Sequence, residues 1–385
     1  MRVVFFSTLT NSSWGGSEVL WYKTALHMRE NGVQVSAFVK KFDTEPLQIK
    51  NLKKSGVDVQ FYSDGHEISF YKRLIKKIIN LFHTPNGPFD ELIKCNPDHI
   101  FFSQSHSYDL GYYSEESLQK LINSKLKFSV ICQNNTEYSF VPENNVRLKI
   151  KQVYENANKV FFVSKRNQSN AEQIICSKIE NAEIISNSLS ISNIEIGVLP
   201  YPDNLVIQFA CVARFRCSHK GQNLLLDVLS KSKWKKRSWV LNFYGGGEDK
   251  EYLIDLTKFL NLSDRVRFHG QVDEIKQVWE KNHILLLPSF GEGMSLALQE
   301  AMLCGRTCVV TDVGGNAELV DKNINGWIAG GTTQNAFDEA MEEAWTDIQK
   351  WQEMGILAFE KAKSLIDLNP QNKLHKYISK NLLSE

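Results

Sequence analysis

The feature that most constrains this chain is an alternation, run twice, of short apolar strand-like segments with amphipathic helical ones. Runs rich in β-branched and aromatic residues stand at 2–7, 33–39, 57–62, 99–103, 127–132 and 159–164. Their nearly continuous hydrophobicity predicts parallel strands buried on both faces. Between them lie helix-period stretches, the first with Val19, Tyr22 and Leu26 on its apolar side and a stop at Asn31 and Gly32. Repeated βα units of this kind build doubly wound α/β domains.

The texture breaks at 197–205, GVLPYPDNL, where two prolines and a glycine interrupt the alternation and predict a hinge. A second series follows at 206–213, 239–245, 265–270, 283–289 and 307–312. A chain of 385 residues also exceeds what one hydrophobic core serves. The expected fold class is therefore α/β, with two Rossmann-like doubly wound domains facing across a cleft. The first spans 1–200 and the second 201–366, and a last helix over 367–385 crosses back to the first.

Charge narrows the function classes. Lys and Arg total 45 against 44 acids, so no global field draws the chain to nucleic acid. Seven cysteines without a CxxC spacing read as reduced thiols. The opening MRVVFFSTLT is too short for a signal peptide, and no run reaches the length of a membrane span. A cytoplasmic protein is expected, at most peripheral at the inner face of the membrane. The segment 69–82 sets Phe70, Leu74, Ile78 and Phe82 against four basic residues. It reads either as a helix packed on its own sheet or as one lying on an anionic bilayer.

Open α/β sheets bind ligands at the carboxyl ends of their strands, so the loops there carry the chemistry. The richest is 288–305, PSFGEGMSLALQEAMLCG. A turn with Gly291, Glu292 and Gly293 leads into a helix expected to begin near Met294, whose first amides favour a phosphate oxygen. Glu300 follows Glu292 by eight residues, about 12 Å of rise if both lay on the helix. The two acids read as contacts to opposite ends of an elongated ligand, or as a solvated helix residue and a dipole-matched first-turn charge. Arg214 and Lys220, after the strand at 206–213, suit a diphosphate leaving group or form a solvated basic turn. Gly15 and Gly16 make another anion-ready loop, followed by capping chemistry at Ser17 and Glu18. His106 stands just past the strand at 99–103, as a structural histidine or a ligand contact. Gln133, Asn134 and Asn135 offer polar groups to a hydroxyl-rich ligand, and Asn187 joins the same rim. Neither GxGxxG nor GxxxxGK occurs, which weighs against hydride transfer and NTP hydrolysis.

Taken together, GEGMSLALQEAM with GRTCVVTDVGGNAELV, VARFRCSHKGQNLLL, FYGGGED and WGGSE resemble the family 4 retaining glycosyltransferases of the GT-B fold, also called glycosyltransferase group 1. The resemblance covers nearly the whole chain. It implies a hexosyltransferase that retains anomeric configuration, needs no metal and has no cofactor beyond its nucleotide-diphosphate sugar co-substrate. The donor would be held by the second domain. The acceptor, a glycan or lipid-linked saccharide as in bacterial surface polysaccharide or glycoconjugate synthesis, would be held by the first. By the same resemblance Glu292 contacts sugar hydroxyls, Glu300 the ribose, and Arg214 and Lys220 the diphosphate. The amides of Met294, Ser295 and Leu296 and the Gly15–Gly16 loop assist, with Gly293 in the turn. His106 lies near the transferred sugar, and the base near Gly245, Gly270 and Gln271. A departure is Met294–Ser295, where the family often has Phe and Gly, and NSLSISNIEIG replaces the commoner NGVD type of turn. A nucleotide-sugar epimerase or phosphorylase of the same architecture, or a silent sugar-nucleotide binding subunit, are the alternatives.

Overall fold

The structure is a computed structural model. It describes residues 1–10, 12–62, 89–135, 141–189, 197–272 and 274–383, with side chains to 380. The chain divides into two compact units. One comprises Met1–Asn135, Phe140–Ser188 and Leu368–Glu385, and the other is mainly Leu189–Asp367.

In the first unit, seven strands form one sheet: β1 Arg2–Ser7, β2 Gln34–Lys40, β3 Asp58–Tyr62, β4 His99–Gln104, β5 Phe128–Cys132, β6 Lys159–Phe162 and β7 Ala182–Ile184. Their order is β3-β2-β1-β4-β5-β6-β7. Every pairing is parallel, with Val3 beside Val35 on one neighbour and His99 on the other. Strand β1 is apolar at each of Val3 to Phe6 because helices cover both faces, and all four side chains are buried.

The second unit repeats the plan with β8 Ile207–Val212, β9 Trp239–Tyr244, β10 Val266–Phe268, β11 Ile284–Leu287, β12 Thr307–Thr311 and β13 Trp327–Ala329. Their order is β10-β9-β8-β11-β12-β13, again parallel. Strand β13 was not anticipated: three residues between glycines are too few for a periodic signal. In each sheet the winding reverses at its first strand, so β1/β4 and β8/β11 are the switch points where loops diverge and leave a crevice.

Helix Val19–Glu30 corrects the expected apolar face. Leu20, Trp21, Thr24, Ala25 and Met28 are buried, and Tyr22 and Leu26 lie on the half-buried flank. Part of the reason is the last helix, Pro370–Leu383, whose Leu374 and Ile378 are buried in the same cluster. Proline at its first position costs no hydrogen bond, since that amide has no intrahelical acceptor. Its Tyr377 ring sits edge-on to Phe161 at 5.5 Å.

In the second unit Trp234, Trp239, Trp279, Trp327 and Trp351 are fully buried. So is Arg306, which has no exposed surface. Its guanidinium donates to the carbonyls of Trp279 and Asn282 (both 2.9 Å), Leu199 (3.2 Å), Pro200 (2.6 Å), Cys304 (3.2 Å) and Gly305 (3.3 Å). This fan of carbonyls replaces a counterion and ties the 199–200 segment to the core. The basic amphipathic segment 69–82 lies outside the described residues. Among the described residues no helix is long and apolar enough to cross a membrane.

Candidate functional site

In the second unit the loops after β8 and β11 meet at the switch point. The loop after β8 runs through the short helix Cys217–Lys220 to Gly221, whose φ of +65° favours glycine. A Cβ there would stand 2.1 Å from the carbonyl oxygen of Pro288, so only glycine lets the two loops close. The Phe290 amide donates to the His219 carbonyl at 2.8 Å across this contact. Lys220 Nζ thereby reaches Glu292 Oε1 at 2.7 Å, and Ser289 Oγ donates to the same oxygen at 2.7 Å.

Glu292 is 6% exposed. Burial pushes its carboxyl pKa up, but the charges of Lys220 and His219 and the two hydrogen bonds outweigh that and hold it below the usual range. The loop is braced from behind: Thr311 Oγ1 donates to the Ser289 carbonyl at 2.6 Å, and the Gly315 amide to Gly293 at 2.8 Å. Gly314, φ +52°, lies so close that a Cβ would meet the Glu292 carbonyl oxygen at 2.1 Å.

The helix after this loop begins at Leu296, two residues later than expected, because Ser295 Oγ caps it by accepting from the Leu298 amide at 3.3 Å. Glu292 is therefore on the loop, not the helix, and the expected two-turn rise between the acids does not apply. Gly293 and Ser295 are buried, Met294 and Leu296 half-buried, and Glu300 in mid-helix is 4% exposed.

Arg214 is half-exposed at the carboxyl end of β8. Its Nε and Nη2 reach Glu248 Oε2 at 3.2 and 3.1 Å, and Arg216 Nε reaches the other oxygen at 3.4 Å. Glu248 was not singled out from the sequence. Its signal is an acid in the Gly245–Gly247 loop that follows β9, the strand beside β8. The Phe215 amide donates to Gly246 at 2.8 Å and the Cys217 amide to Asp249 Oδ2 at 2.6 Å, binding the two loops together. The Gly245 amide donates to the Gly270 carbonyl at 2.7 Å, so two residues read separately as base contacts are neighbours. Gln271 is exposed on the following loop.

In the first unit His106 follows β4 with its side chain half-exposed. Its amide donates to Asp109 Oδ2 at 3.0 Å and its Nδ1 lies 3.7 Å from Oδ1. Thr8, just past β1, donates to Asp109 Oδ2 at 2.7 Å, which joins the two sides of that switch point. Burial pushes the Asp109 carboxyl up, with the His106 charge opposing. The Ser107 amide donates to the Asn134 carbonyl at 3.0 Å, so Asn134 belongs to the His106 loop. Gln133 is buried with both side-chain polar atoms unpaired, as is the side-chain oxygen of Asn187.

The Gly15–Gly16 loop enters a short 3-10 turn, Gly16–Glu18, and neither this turn nor the following helix has the expected side-chain cap. Glu18 instead turns inward, 3% exposed. It accepts from Ser7 Oγ at 2.6 Å, Trp21 Nε1 at 2.8 Å and Ser17 Oγ at 3.3 Å. Burial pushes its pKa up to about 7 against these hydrogen bonds.

Residues 207–347 match the model of a family described as glycosyl transferases group 1. An uncharacterized glycosyltransferase of Haemophilus influenzae is 32% identical over 126 residues, 32% of this chain and 35% of that protein. The lipopolysaccharide 1,6-galactosyltransferase of Escherichia coli is 31% identical over 136 residues, 34% of this chain and 37% of that protein. These matches thus span about a third of those relatives' length. Among solved structures, Anabaena Alr3699/HepE in complex with UDP is similar over 100% of both chains, with a TM-score of 0.71 and 18% identity. That likeness shows the fold, and with it the two parallel-sheet α/β domains of the GT-B class.

Proposed function

We propose, from the match of residues 207–347 to the glycosyl transferases group 1, that the chain is a member of that family and moves a hexosyl group from a nucleotide-diphosphate sugar to a hydroxyl of a glycan or lipid-linked acceptor. The setting is bacterial surface polysaccharide or glycoconjugate synthesis, as the lipopolysaccharide galactosyltransferase relative suggests. Uridine is the preferred donor base, on the strength of the similar UDP complex.

The observation that carries this reading is the buried Lys220–Glu292 pair at a switch-point crevice, with Arg214 on the adjoining loop. A lysine ammonium has three protons, and Glu292 occupies one, so two remain for diphosphate oxygens. Arg214 spends Nε and Nη2 on Glu248 and keeps Nη1. In the proposed reaction the bond from the anomeric carbon to the diphosphate oxygen breaks, and the acceptor hydroxyl forms a new bond on the same face. The hydroxyl proton passes to the departing diphosphate oxygen, so no side-chain base is needed. Lys220, Arg214 and the amides of Met294, Ser295 and Leu296 stabilise charge that grows only as the bond breaks, which is where binding energy accelerates a step. Glu292 holds sugar hydroxyls, Glu300 the ribose, and the loops at Gly245, Gly270 and Gln271 the base. By the resemblance His106 is assigned to the transferred sugar and the Gly15–Gly16 loop to the phosphates. Asn134 and Asn187 meet its hydroxyls. The catalysis is metal-independent and cytoplasmic.

Thermal-shift screening against UDP, GDP, ADP and dTDP sugars tests the binding half, since a ligand of the native state alone raises the transition. Lys220→Ala and Glu292→Ala test the chemical half. Both are expected to lose turnover of the donor that the screen identifies; wild-type turnover by both would overturn the assignment.

A further inference from the structure

Two strands of the second unit end at the glycines read above as holding the base. Tyr244 closes β9 just before Gly245, and His269 follows β10 just before Gly270. Gly245, φ +136°, lies where a Cβ would stand 2.1 Å from the Ala213 carbonyl oxygen, and Gly270 has φ +75°. Glycine supplies the freedom to make both turns, so their placement depends on what holds the residue before each. That support is a polar cluster beneath the turns.

The proton positions in this cluster follow from two backbone carbonyls, which can only accept. Asn282, directly after helix Ile275–Lys281, donates through Nδ2 to the Val278 carbonyl at 2.7 Å and to Tyr244 Oη at 2.9 Å. Its amide orientation is thereby set, with Oδ1 left to accept. Gln208 Nε2 likewise donates to the Val206 carbonyl at 3.1 Å, which leaves its Oε1 to accept. Asn242 Nδ2 donates to both, at 2.9 Å to Asn282 Oδ1 and 3.0 Å to Gln208 Oε1. Asn242 Oδ1 must then be an acceptor, and the atom facing it at 2.8 Å is His269 Nε2. The imidazole is therefore the Nε2–H tautomer. Burial, with the charges of Lys281 and Arg267, lowers its pKa, so the ring is neutral at pH 7.

The His269 ring also lies on the Tyr244 ring, with 4.6 Å between centroids and 12° between planes. The contacts thus close a circuit: Tyr244 to Asn282, Asn282 to Asn242, Asn242 to His269, and His269 back to Tyr244. Tyr244, Asn242 and Asn282 are buried, and Arg306 Nε holds the Asn282 carbonyl at 2.9 Å. His269 alone is exposed. An exposed ring adds little to the core; what it fixes is the backbone entering Gly270.

We propose that His269 is a positioning residue for the donor's nucleobase: through its hydrogen bond to Asn242 and its stack on Tyr244 it sets the spacing of the Gly245 and Gly270 turns before the ligand arrives. The proposal rests on the donor reading above and deepens it by naming what preorganises the base end of that site. It requires an N–H donor at the Nε2 position and not an imidazole as such. Glutamine can place its amide nitrogen there, whereas leucine has comparable bulk and no donor.

The test uses the full chain as wild type, His269→Gln and His269→Leu. Calorimetry with UDP, GDP, ADP and dTDP identifies the nucleotide that the wild type binds best. His269→Leu is expected to weaken that nucleotide about fivefold, and His269→Gln less than twofold. Hydrogen exchange of the unliganded proteins, read by NMR, is expected to be faster at the Gly245 amide in His269→Leu and restored in His269→Gln. It is expected to be unchanged at the Leu298 amide, which the Ser295 cap holds in the helix after Glu292. Nitrogen-15 shifts of the wild type are expected to show the Nε2–H tautomer at pH 7.5. Unchanged nucleotide affinity in His269→Leu, a His269→Gln as weak as His269→Leu, equal acceleration at Leu298, or an Nδ1–H tautomer would overturn the positioning role and leave the donor reading standing. A wild type that binds none of the four nucleotides would overturn the donor reading, and with it the nucleobase as the occupant of these turns.

Discussion

Replacing Lys220 with alanine isolates the energetics of the buried pair. In the native protein Glu292 is 6% exposed, with Lys220 at 2.7 Å and Ser289 as its other hydrogen-bond partner. Removing the ammonium leaves a buried carboxylate held by a single hydroxyl. Breaking such a pair from one side costs about 3–5 kcal/mol, because the remaining charge stays desolvated. The Lys220 side chain is 19% exposed, so water can enter the space it vacates, and the lower end, about 3 kcal/mol, applies. For a unit of this size that is a fall of roughly 6–12 °C in its melting transition.

The sign of the pH dependence separates this cause from lost packing. In the native protein the Glu292 pKa is depressed. Its contribution is therefore full above the unfolded value near 4.5 and is lost as pH falls through the folded value. In Lys220→Ala the cation is gone, burial dominates and the carboxyl takes up a proton at higher pH. The deficit relative to wild type should be largest at neutral pH and should close as the buffer approaches pH 4. Lys220→Met combined with Glu292→Gln removes both charges and should recover stability to within about 1 kcal/mol of wild type. Differential scanning calorimetry of the three proteins between pH 4 and pH 8 reads all of this. A deficit under about 1 kcal/mol at pH 7, or one that does not change with pH, would refute the reasoning.

Other consequences follow from single groups. Glu18 titrates near 7 when folded against 4.5 unfolded, so the folded state binds the extra proton and stability falls as pH rises through that interval, by about 3 kcal/mol in all. Glu18→Gln should abolish this loss, visible as a melting curve that no longer drops between pH 5 and pH 8. Arg306→Met strands the carbonyls of Leu199 and Pro200 among others and should cost about 4 kcal/mol, seen as a lowered transition and faster amide exchange at Leu199 and Tyr201; an unchanged transition would contradict it. Gly221→Ala forces a Cβ to 2.1 Å from the Pro288 oxygen. It should therefore impair UDP binding by displacing Lys220, where Gly331→Ala, which meets nothing within 4 Å, should not.

Much of the fold could be read before the structure because its strands are buried on both faces. A strand such as β12, TCVVT, is apolar enough to stand out, and all five residues are buried. Strand β13 escaped because Trp327–Ala329 is shorter than any periodicity. The start of the helix after Glu292 was misjudged because a glycine–methionine–serine turn reads as helix until the Ser295 cap is seen. The buried face of helix Val19–Glu30 was displaced because part of its cover comes from a helix more than 340 positions later in sequence. Residue types and loops were thus visible, whereas partners contributed by distant segments were not.

The two inward acids show why types alone cannot fix chemistry. Glu18 and Glu292 each follow a glycine-bearing loop at a strand's carboxyl end, and each is nearly sealed from water, 3% and 6% exposed. Each accepts a serine hydroxyl, from Ser7 and from Ser289. Desolvation is the largest influence on both and acts in the same direction. Their pKa values nevertheless move oppositely, Glu18 up to about 7 and Glu292 below its ordinary value. The difference is positive charge, chiefly Lys220, 72 positions upstream of Glu292 and delivered by the Gly221 turn, with His219 beside it. Hydrogen bonds from neutral groups, even the three that Glu18 receives, do not offset the loss of water around a carboxylate, whereas at Glu292 the Lys220 ammonium at contact distance, joined by the His219 charge and the two hydrogen bonds, does. A buried glutamate in such a loop is therefore a proton carrier or a fixed anion according to whether a lysine on another strand-end loop can reach it.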